Sequence, residues 1–254
     1  MDTRALLLVF ILVTGCVSPA IAPPRDEMAR VKAVRIVPME APPLGVPLEF
    51  RNLLPNIASP VLVYNTIAVL VETPAVQGRS AEFSSSFQAS LEAKGSWMPT
   101  RVLADEVWAQ LNARGIAASV KSEVRPIPAV KERGYTLLME NWMAPIRAWY
   151  NDTKPVTDYA GLTLEQGQYV LEVAVSNYEI YDGKLLMSVM MKMIDLSSGR
   201  VRGRARALMD PAKIPQVAPF DQSFGNDAAR FKAIVAAEGQ TLVKACLTQL
   251  GLVK

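Results

Sequence analysis

Three arginines, Arg202, Arg204 and Arg206, alternate along one segment in the last quarter of the chain. Alternate residues of a β-strand point to the same face at a spacing of about 6.7 Å, so the pattern predicts a row of guanidinium groups. Guanidinium groups bind phosphate and carboxylate oxygens through paired hydrogen bonds. We therefore interpret the row as a candidate binding ridge for anionic groups. The alternatives are a solvated strand face paired with acids, and an edge strand protected from pairing.

A second candidate for binding is an aromatic segment that contains Trp142, Trp149, Tyr150 and Tyr159. Trp and Tyr are enriched among the residues that anchor protein interfaces. Residues 151–155 (NDTKP) are turn-like, which favours a loop. Two interpretations stay open: the rings either anchor a partner or lie buried beneath a loop that folds over the core.

The composition excludes several classes of chemistry. The chain has 254 residues, no His and two Cys, with 50% hydrophobic residues and a net charge of +3. Without His there is no Ser-His-Asp or Cys-His catalysis and no His-ligated metal site. The sequence contains no phosphate loop, dinucleotide fingerprint or CxxC motif, and its acids are scattered, so we expect no enzyme, no cofactor and no bound metal. The small net charge argues against a nucleic-acid binder.

The amino terminus has the layout of a secretory signal. Residues 5–13 are nine consecutive apolar residues, too few for a membrane-spanning helix, which needs about 20. They lead into Val13-Thr14-Gly15-Cys16. This motif resembles the lipobox of bacterial lipoproteins. The resemblance implies that residues 1–15 are removed as a signal peptide and that Cys16 is lipidated.

The residues after Cys16 predict where the anchored protein lies. The next residue is Val17, whereas Asp is the usual inner-membrane retention signal at that position, so the resemblance implies the outer membrane. Pro19, Pro23 and Pro24 favour an extended, stiff chain. We interpret residues 16–30 as a lipidated tether and residues 31–254 as a periplasmic domain.

The fold class follows from the apolar patterns. Residues 31–37 alternate and then meet Pro38, as expected of a strand. Residues 168–209 predict a three-strand antiparallel meander with turns at Asp182-Gly183 and Asp195–Gly199. The other predicted elements are helices at 99–115 and about 226–249 and strands at 116–124 and 135–140. Residues 79–95 fit either a helix face or a strand face, and their Ala, Glu, Gln and Lys favour the helix. We predict an α/β (α+β) domain with a mixed sheet, this meander and flanking helices.

Two sets of sulfur-containing residues are best explained by packing in the core. Cys246 lies on the apolar stripe of the last helix, and Met187, Met190, Met191 and Met193 follow strand alternation. We expect all of them to fill the core.

Residues 41–97 form an insertion that includes Val61–Val71, an apolar run. This run predicts either a strand buried on both faces or a lipid-inserting strand.

The order of these elements permits a fold resemblance. A first strand ends in Ile36-Val37-Pro38-Met39-Glu40, a helix closes near Gly115, a strand begins Tyr169-Val-Leu-Glu-Val, and the turn reads Asp195-Leu-Ser-Ser-Gly199. This arrangement resembles the periplasmic α/β domain of the curli-secretion lipoproteins and the amino-terminal domain of TolB. The resemblance implies a role in envelope assembly and no catalytic residue.

Together these patterns predict a membrane-anchored lipoprotein that serves as a structural or assembly component of a cell-envelope complex. Its partner would be an envelope protein, an envelope polymer such as lipid A or peptidoglycan, or further copies of the chain. Two alternatives stay open: a subunit of an oligomeric outer-membrane pore, and a ligand-binding lipoprotein auxiliary to a transporter.

Overall fold

The computed structural model of the chain describes residues 19–45, 87–92, 97–130, 140–155, 159, 168–181, 183–217 and 220–254. Within them the elements follow in the order α1 (Arg25–Met28), β1 (Ala33–Pro38), α2 (Pro99–Asn112), β2 (Ala117–Val120), α3 (Glu140–Asn151), β3 (Gln168–Tyr181), β4 (Lys184–Asp195), β5 (Arg200–Leu208), a 3-10 turn (Pro211–Lys213) and α4 (Phe220–Gln249). Residues 87–92 are also helical.

The five strands form one mixed sheet in the order β2-β1-β3-β4-β5. β1 is parallel to both β2 and β3. The β3-β4-β5 part is antiparallel, as the alternation of residues 168–209 predicts. The predicted fold class, a mixed sheet with a three-strand meander and flanking helices, is therefore confirmed.

The larger core lies between the sheet and helices α2 and α4. Leu103, Val107 and Leu111 recur at four-residue spacing and bury one face of α2. α4 contributes a matching stripe that includes Cys246, whose thiol is fully buried. Burial raises the pKa of this thiol to about 12, so it remains an inert thiol at neutral pH.

The smaller core lies on the other face of the sheet, beneath α3. Its helical residues Trp142, Ile146, Trp149 and Tyr150 pack on strand residues that include Met190. The loop predicted here is wrong for residues 140–151, which form a helix that contains Pro145. Proline inside a helix costs about 3 kcal/mol. Burying several large side chains at about 1.5–3 kcal/mol each outweighs that cost.

The first described residues are docked on the domain. Ile21 pairs with Arg204 at the outer edge of β5, with the Ile21 N–H 2.8 Å from the Arg204 carbonyl and the Arg204 N–H 2.9 Å from the Ile21 carbonyl. Pro23 packs so closely on Gly203 that a Cβ at this glycine would lie 2.8 Å from the proline Cγ. Met28 of α1 is buried. Residues 21–30 are thus part of the folded body.

Other predicted boundaries shift modestly. The strand predicted at 116–124 spans Ala117–Val120, and the last helix begins at Phe220 rather than near 226. The predicted strand at 135–140 ends in Glu140, which begins α3; residues 135–139 lie outside the described residues. The signal peptide, Cys16 and Val61–Val71 also lie outside them. None of the described helices combines the length and the apolar composition that crossing a bilayer requires.

Candidate functional site

The α3-facing side of the sheet carries a row of charged residues in cross-strand register. Glu172 of β3 pairs with Lys192 of β4, and Lys192 pairs with Arg204 of β5. All three are buried, and Arg204 is only 6% exposed. A buried charge is costly unless partners surround it, so each of the three must be matched by hydrogen bonds or by an opposite charge.

The Glu172 carboxylate is held by two aromatic donors. The Trp149 indole Nε1–H donates to Glu172 Oε2 at 2.9 Å, and the Tyr159 hydroxyl donates to Glu172 Oε1 at 2.8 Å. Lys192 Nζ lies 4.0 Å from Glu172 Oε2 and 5.3 Å above the Trp149 ring. Burial lowers the pKa of Lys192, and the nearby Glu172 carboxylate opposes that shift.

The two buried cations complete the carboxyl end of α3. The last four carbonyls of a helix lack partners within the helix. Lys192 Nζ donates to the Trp149 carbonyl at 3.0 Å, and Arg204 Nη1 donates to the carbonyls of Tyr150 at 3.1 Å and Asn151 at 2.8 Å. The remaining carbonyl, of Ala148, accepts from a backbone N–H at 3.0 Å. Positive charge is also favourable at this end of the helix dipole. Arg204 is therefore a structural residue.

Arg206, two residues further along β5, is in a different situation. It lines a shallow notch with Arg147 of α3, and the notch is completed by Met143, Ser176, Asn177 and Met190. Within the described part of the chain neither guanidinium has an ion pair, and the buried Arg206 Nε has no hydrogen-bond partner. Burial and the adjacent Arg147 charge lower the pKa of Arg206. The notch itself has a volume of about 10 Å³, which leaves room for one water molecule, so an anion could meet these two guanidiniums only at the outer rim of the notch.

Arg202 does not continue the row. The β4-β5 register shifts, so that Met193 pairs with Gly203 but Ile194 pairs with Val201, and Arg202 is left between them as a bulge. Its Nε donates to Glu27 Oε1 at 3.0 Å and lies 4.0 Å from Asp195 Oδ2. The predicted single row of three guanidiniums is therefore wrong: Arg202 is compensated by acids, Arg204 is buried and only Arg206 is uncompensated.

A cleft of about 240 Å³ lies near the amino end of α3, lined by Glu40, Ala41, Pro42, Pro43, Gln88, Trp97, Met98, Pro99, Trp142 and Tyr178. Two of its aromatic residues, Trp142 and Tyr178, are buried. Among the residues that the structure describes, the Trp142 Nε1 and the Tyr178 hydroxyl have no hydrogen-bond partner. Each unpaired buried donor costs about 1–3 kcal/mol of stability. A ligand with a hydrogen-bond acceptor could therefore gain affinity by pairing with one of them.

The structure separates the sequence-predicted aromatic residues. Trp149 and Tyr150 serve the buried network, where the Arg204 guanidinium carbon lies 5.7 Å from the Tyr150 ring centroid. Trp142 alone lines the cleft. Sequence reasoning missed Arg147 and Tyr178. No pattern singled out Arg147, whereas Lys192, a charged residue within an apolar alternating run, was a visible sign of the buried network.

These features define the class of protein: a three-layer α/β domain with a hydrogen-bonded buried charge network, a notch lined by two arginines without ion pairs among the described residues, and an aromatic cleft. No protein-family model matches the chain, and no curated protein matches it either.

Several solved structures align with this chain, among them two PelC dodecamers and a protein of the DUF330 family. A PelC dodecamer from Paraburkholderia phytofirmans in space group C2 has a TM-score of 0.34 and 14% identity, over 92% of this chain and 95% of that chain. A second PelC dodecamer from that organism, in space group P6, has a TM-score of 0.35 and 15% identity, over 93% and 96%. A Xanthomonas campestris protein of the DUF330 family has a TM-score of 0.36 and 13% identity, over 86% and 84%.

At these scores the likeness supports no inference about this chain. The resemblance to curli-secretion lipoproteins and TolB is not confirmed by these comparisons.

Proposed function

We propose that this chain is an outer-membrane lipoprotein whose periplasmic α/β domain works by binding, as a structural or assembly component of a cell-envelope complex. The anchor would be lipid on Cys16, and the partner an envelope protein, an envelope polymer or further copies of the chain. The observation that carries the proposal is the docking of residues 21–30, because it holds the domain close to any lipid attached at Cys16.

The chemistry of the described acids supports binding rather than catalysis. The two buried carboxylates, Glu172 and Asp195, each accept hydrogen bonds that stabilise the fold. Asp195 accepts from the hydroxyls of Ser197 at 2.8 Å and Ser198 at 2.6 Å, which fixes the β4-β5 turn. Both carboxylates therefore have structural roles that account for their burial.

Intact-mass analysis of protein extracted from native membranes tests the anchor. We expect residues 16–254 plus a diacylglycerol and an amide-linked acyl group, and a Cys16→Ser variant that lacks both. Cys246→Ser is the matched control, because this thiol is buried in the core and its removal leaves the mass of the lipid unchanged. A free thiol at Cys16 in the native protein would refute the proposal.

Chemical crosslinking of the anchored protein tests the assembly role. We expect specific envelope partners or self-crosslinks that the Cys16→Ser variant loses. Recovery of the protein as an isolated monomer without crosslinks would refute that role, and a closed ring of many copies would favour the pore alternative. The pore alternative depends on Val61–Val71, which the structure does not describe.

A second candidate function, a ligand-binding lipoprotein, is favoured by the aromatic cleft. A flat ring with a hydrogen-bond acceptor matches its Trp and Pro walls and its unpaired donors. Thermal shifts against envelope lipids and glycans test this function. A true ligand should raise the melting temperature of the wild type and lose that effect in Trp142→Phe, which keeps an aromatic ring but removes the indole N–H. Equal shifts in both proteins would exclude the cleft as the ligand site.

A further inference from the structure

The pairing of Ile21 with Arg204 shows which end of β5 lies nearest the proposed anchor. The pairing is antiparallel, so the residues before Ile21 run toward the residues after Arg204, that is toward Arg206 and Leu208. Cys16 is five residues before Ile21. Five residues span at most about 18 Å when extended. Lipid on Cys16 would therefore hold this end of β5 near the bilayer surface.

The surface at this end has the composition of a membrane-contacting patch. Among the described residues the exposed large hydrophobic side chains are Ile21 at 43%, Trp108 at 47% and Leu208 at 56%. Leu208 lies at this end of β5, and Ile21 lies beside Arg204 in the middle of the strand, so the two are on either side of Arg206 along β5. Leu208 pairs with Ser188 as Arg206 pairs with Met190, so Leu208 and Arg206 share the α3-facing side of β5.

The charge at this end is positive and unpaired. Arg147 and Arg206 have no ion pair in the described part of the chain, and the neighbouring Asp210 is 3.6 Å from Lys213, its own partner. At the other end of β5, Arg202 is paired with Glu27. Arg200, the first residue of β5, is exposed and likewise has no ion pair in the described part of the chain. Arg147 and Arg206 differ from it because they lie side by side, at the end of β5 where the anchor would emerge.

We propose that Arg147 and Arg206, flanked by Leu208 and Ile21, form a surface that docks on an anionic phospholipid bilayer, with the two guanidiniums bound to lipid phosphates. Each basic side chain near an anionic membrane contributes about fivefold to binding. Exposed aliphatic side chains insert at the level of the headgroups. The surface thus fixes the orientation of the domain, and it rests on the proposed function only for the position of the anchor.

Sedimentation with lipid vesicles tests the surface without the anchor. The protein is the chain from residue 16 onward with Cys16→Ser, which lacks none of the described residues. Vesicles of phosphatidylcholine with 30% phosphatidylglycerol, chosen as the anionic probe, are compared with pure phosphatidylcholine. We expect salt-sensitive binding to the anionic vesicles only, and binding about 25-fold weaker for Arg147→Gln/Arg206→Gln.

The matched control is Arg101→Gln/Arg114→Gln, which removes the same net charge from α2 and the turn after it, on the other side of the sheet. This control should bind nearly as well as the parent protein. If both double variants bound the vesicles equally weakly, net charge alone would explain the binding and the proposal would be overturned. Absence of binding to anionic vesicles would also overturn it. Circular dichroism establishes that each variant folds.

Two further results separate the sources of phosphate and the two proposals. Stabilisation by inorganic phosphate with no vesicle binding would assign the notch to a free anion and overturn membrane docking. Because the vesicle protein carries no lipid, its failure to bind leaves the intact-mass test of Cys16 unaffected. A free thiol at Cys16 would likewise leave the vesicle result standing.

Discussion

Arg204 and Arg206 lie two residues apart on the same face of β5, but their surroundings differ in kind. Arg204 is buried, and its Nη1 satisfies two helix carbonyls, so its charge is part of the fold. Arg206 shares a notch with another cation, and in the described part of the chain its guanidinium has no ion pair. The comparison shows that an arginine of this strand is structural where the free carbonyls at the end of α3 accept its hydrogen bonds, whereas Arg206, beside Arg147 in the middle of α3, meets no such acceptors among the described residues.

The buried network should show the largest effect. Glu172→Leu removes the acceptor of two aromatic donors and leaves Lys192 as an uncompensated buried charge. Breaking a buried pair in this way costs about 3–5 kcal/mol of unfolding free energy, measured by urea denaturation. Asp26→Asn is the control, because its pair with Arg30 is exposed and should contribute below about 1 kcal/mol. Similar losses in both variants would mean that the network does not stabilise the fold.

The same measurement applied to the two arginines tests the comparison directly. Arg204→Met leaves the Tyr150 and Asn151 carbonyls without their donor, and we expect a loss of about 2–3 kcal/mol. Arg206→Met removes a like charge from Arg147 and should change the unfolding free energy by less than about 0.5 kcal/mol. A larger loss for Arg206→Met than for Arg204→Met would reverse the assignment of the two residues.

The sequence predicts the sheet and both main helices because alternation and four-residue spacing reflect burial directly. It fails at α3, where the turn-like residues 151–155 favoured a loop although Trp142, Ile146 and Trp149 already have helical spacing. It also fails at the arginine row. There the isolated Gly203 was the available signal, since a glycine within a strand often marks a bulge. The packing of Pro23 and Leu250 on that glycine is a long-range contact that no local pattern contains.

The candidate site was harder to predict from the sequence than the fold, because it also depends on long-range packing. Alternation predicts that Arg204 and Arg206 share a face, but it does not predict where α3 ends above them. The carboxyl end of α3 decides which arginine is covered, and Arg147 becomes a partner of Arg206 only through the packing of that helix on β5. Such contacts depend on the tertiary structure.

A smaller effect is expected where the amino-terminal segment docks on β5. Ile21→Pro removes the N–H that donates to the Arg204 carbonyl and should cost about 1 kcal/mol. Hydrogen exchange measures the consequence, because the Arg204 amide, which donates to Ile21, should lose protection. Ala20→Pro lies beside it, where the structure shows no backbone hydrogen bond for Ala20, and should leave this amide protected. Unchanged protection in Ile21→Pro would mean that residues 19–21 do not hold the edge of β5.

The compensated end of β5 gives the smallest expected effect, through Asp195. Burial raises the pKa of this carboxyl, but hydrogen bonds from Ser198 and Ser197 and the charge of Arg202 outweigh burial and lower it overall. The unfolded chain therefore binds a proton at a higher pH than the folded chain. This contribution to stability is present above the unfolded pKa of about 4 and is lost as the pH falls through the lower folded value.

Asp195→Asn should remove this acid-dependent part. We expect a loss below about 1 kcal/mol at neutral pH and a flatter decline of unfolding free energy between pH 5 and about pH 2. Urea denaturation at a series of pH values measures both. Asp105→Asn, an exposed residue of α2, is the control and should keep the wild-type profile. If Asp195→Asn also kept that profile, the Asp195 carboxyl would not stabilise the turn. Of the two acids near Arg202, Glu27 alone would then compensate its charge.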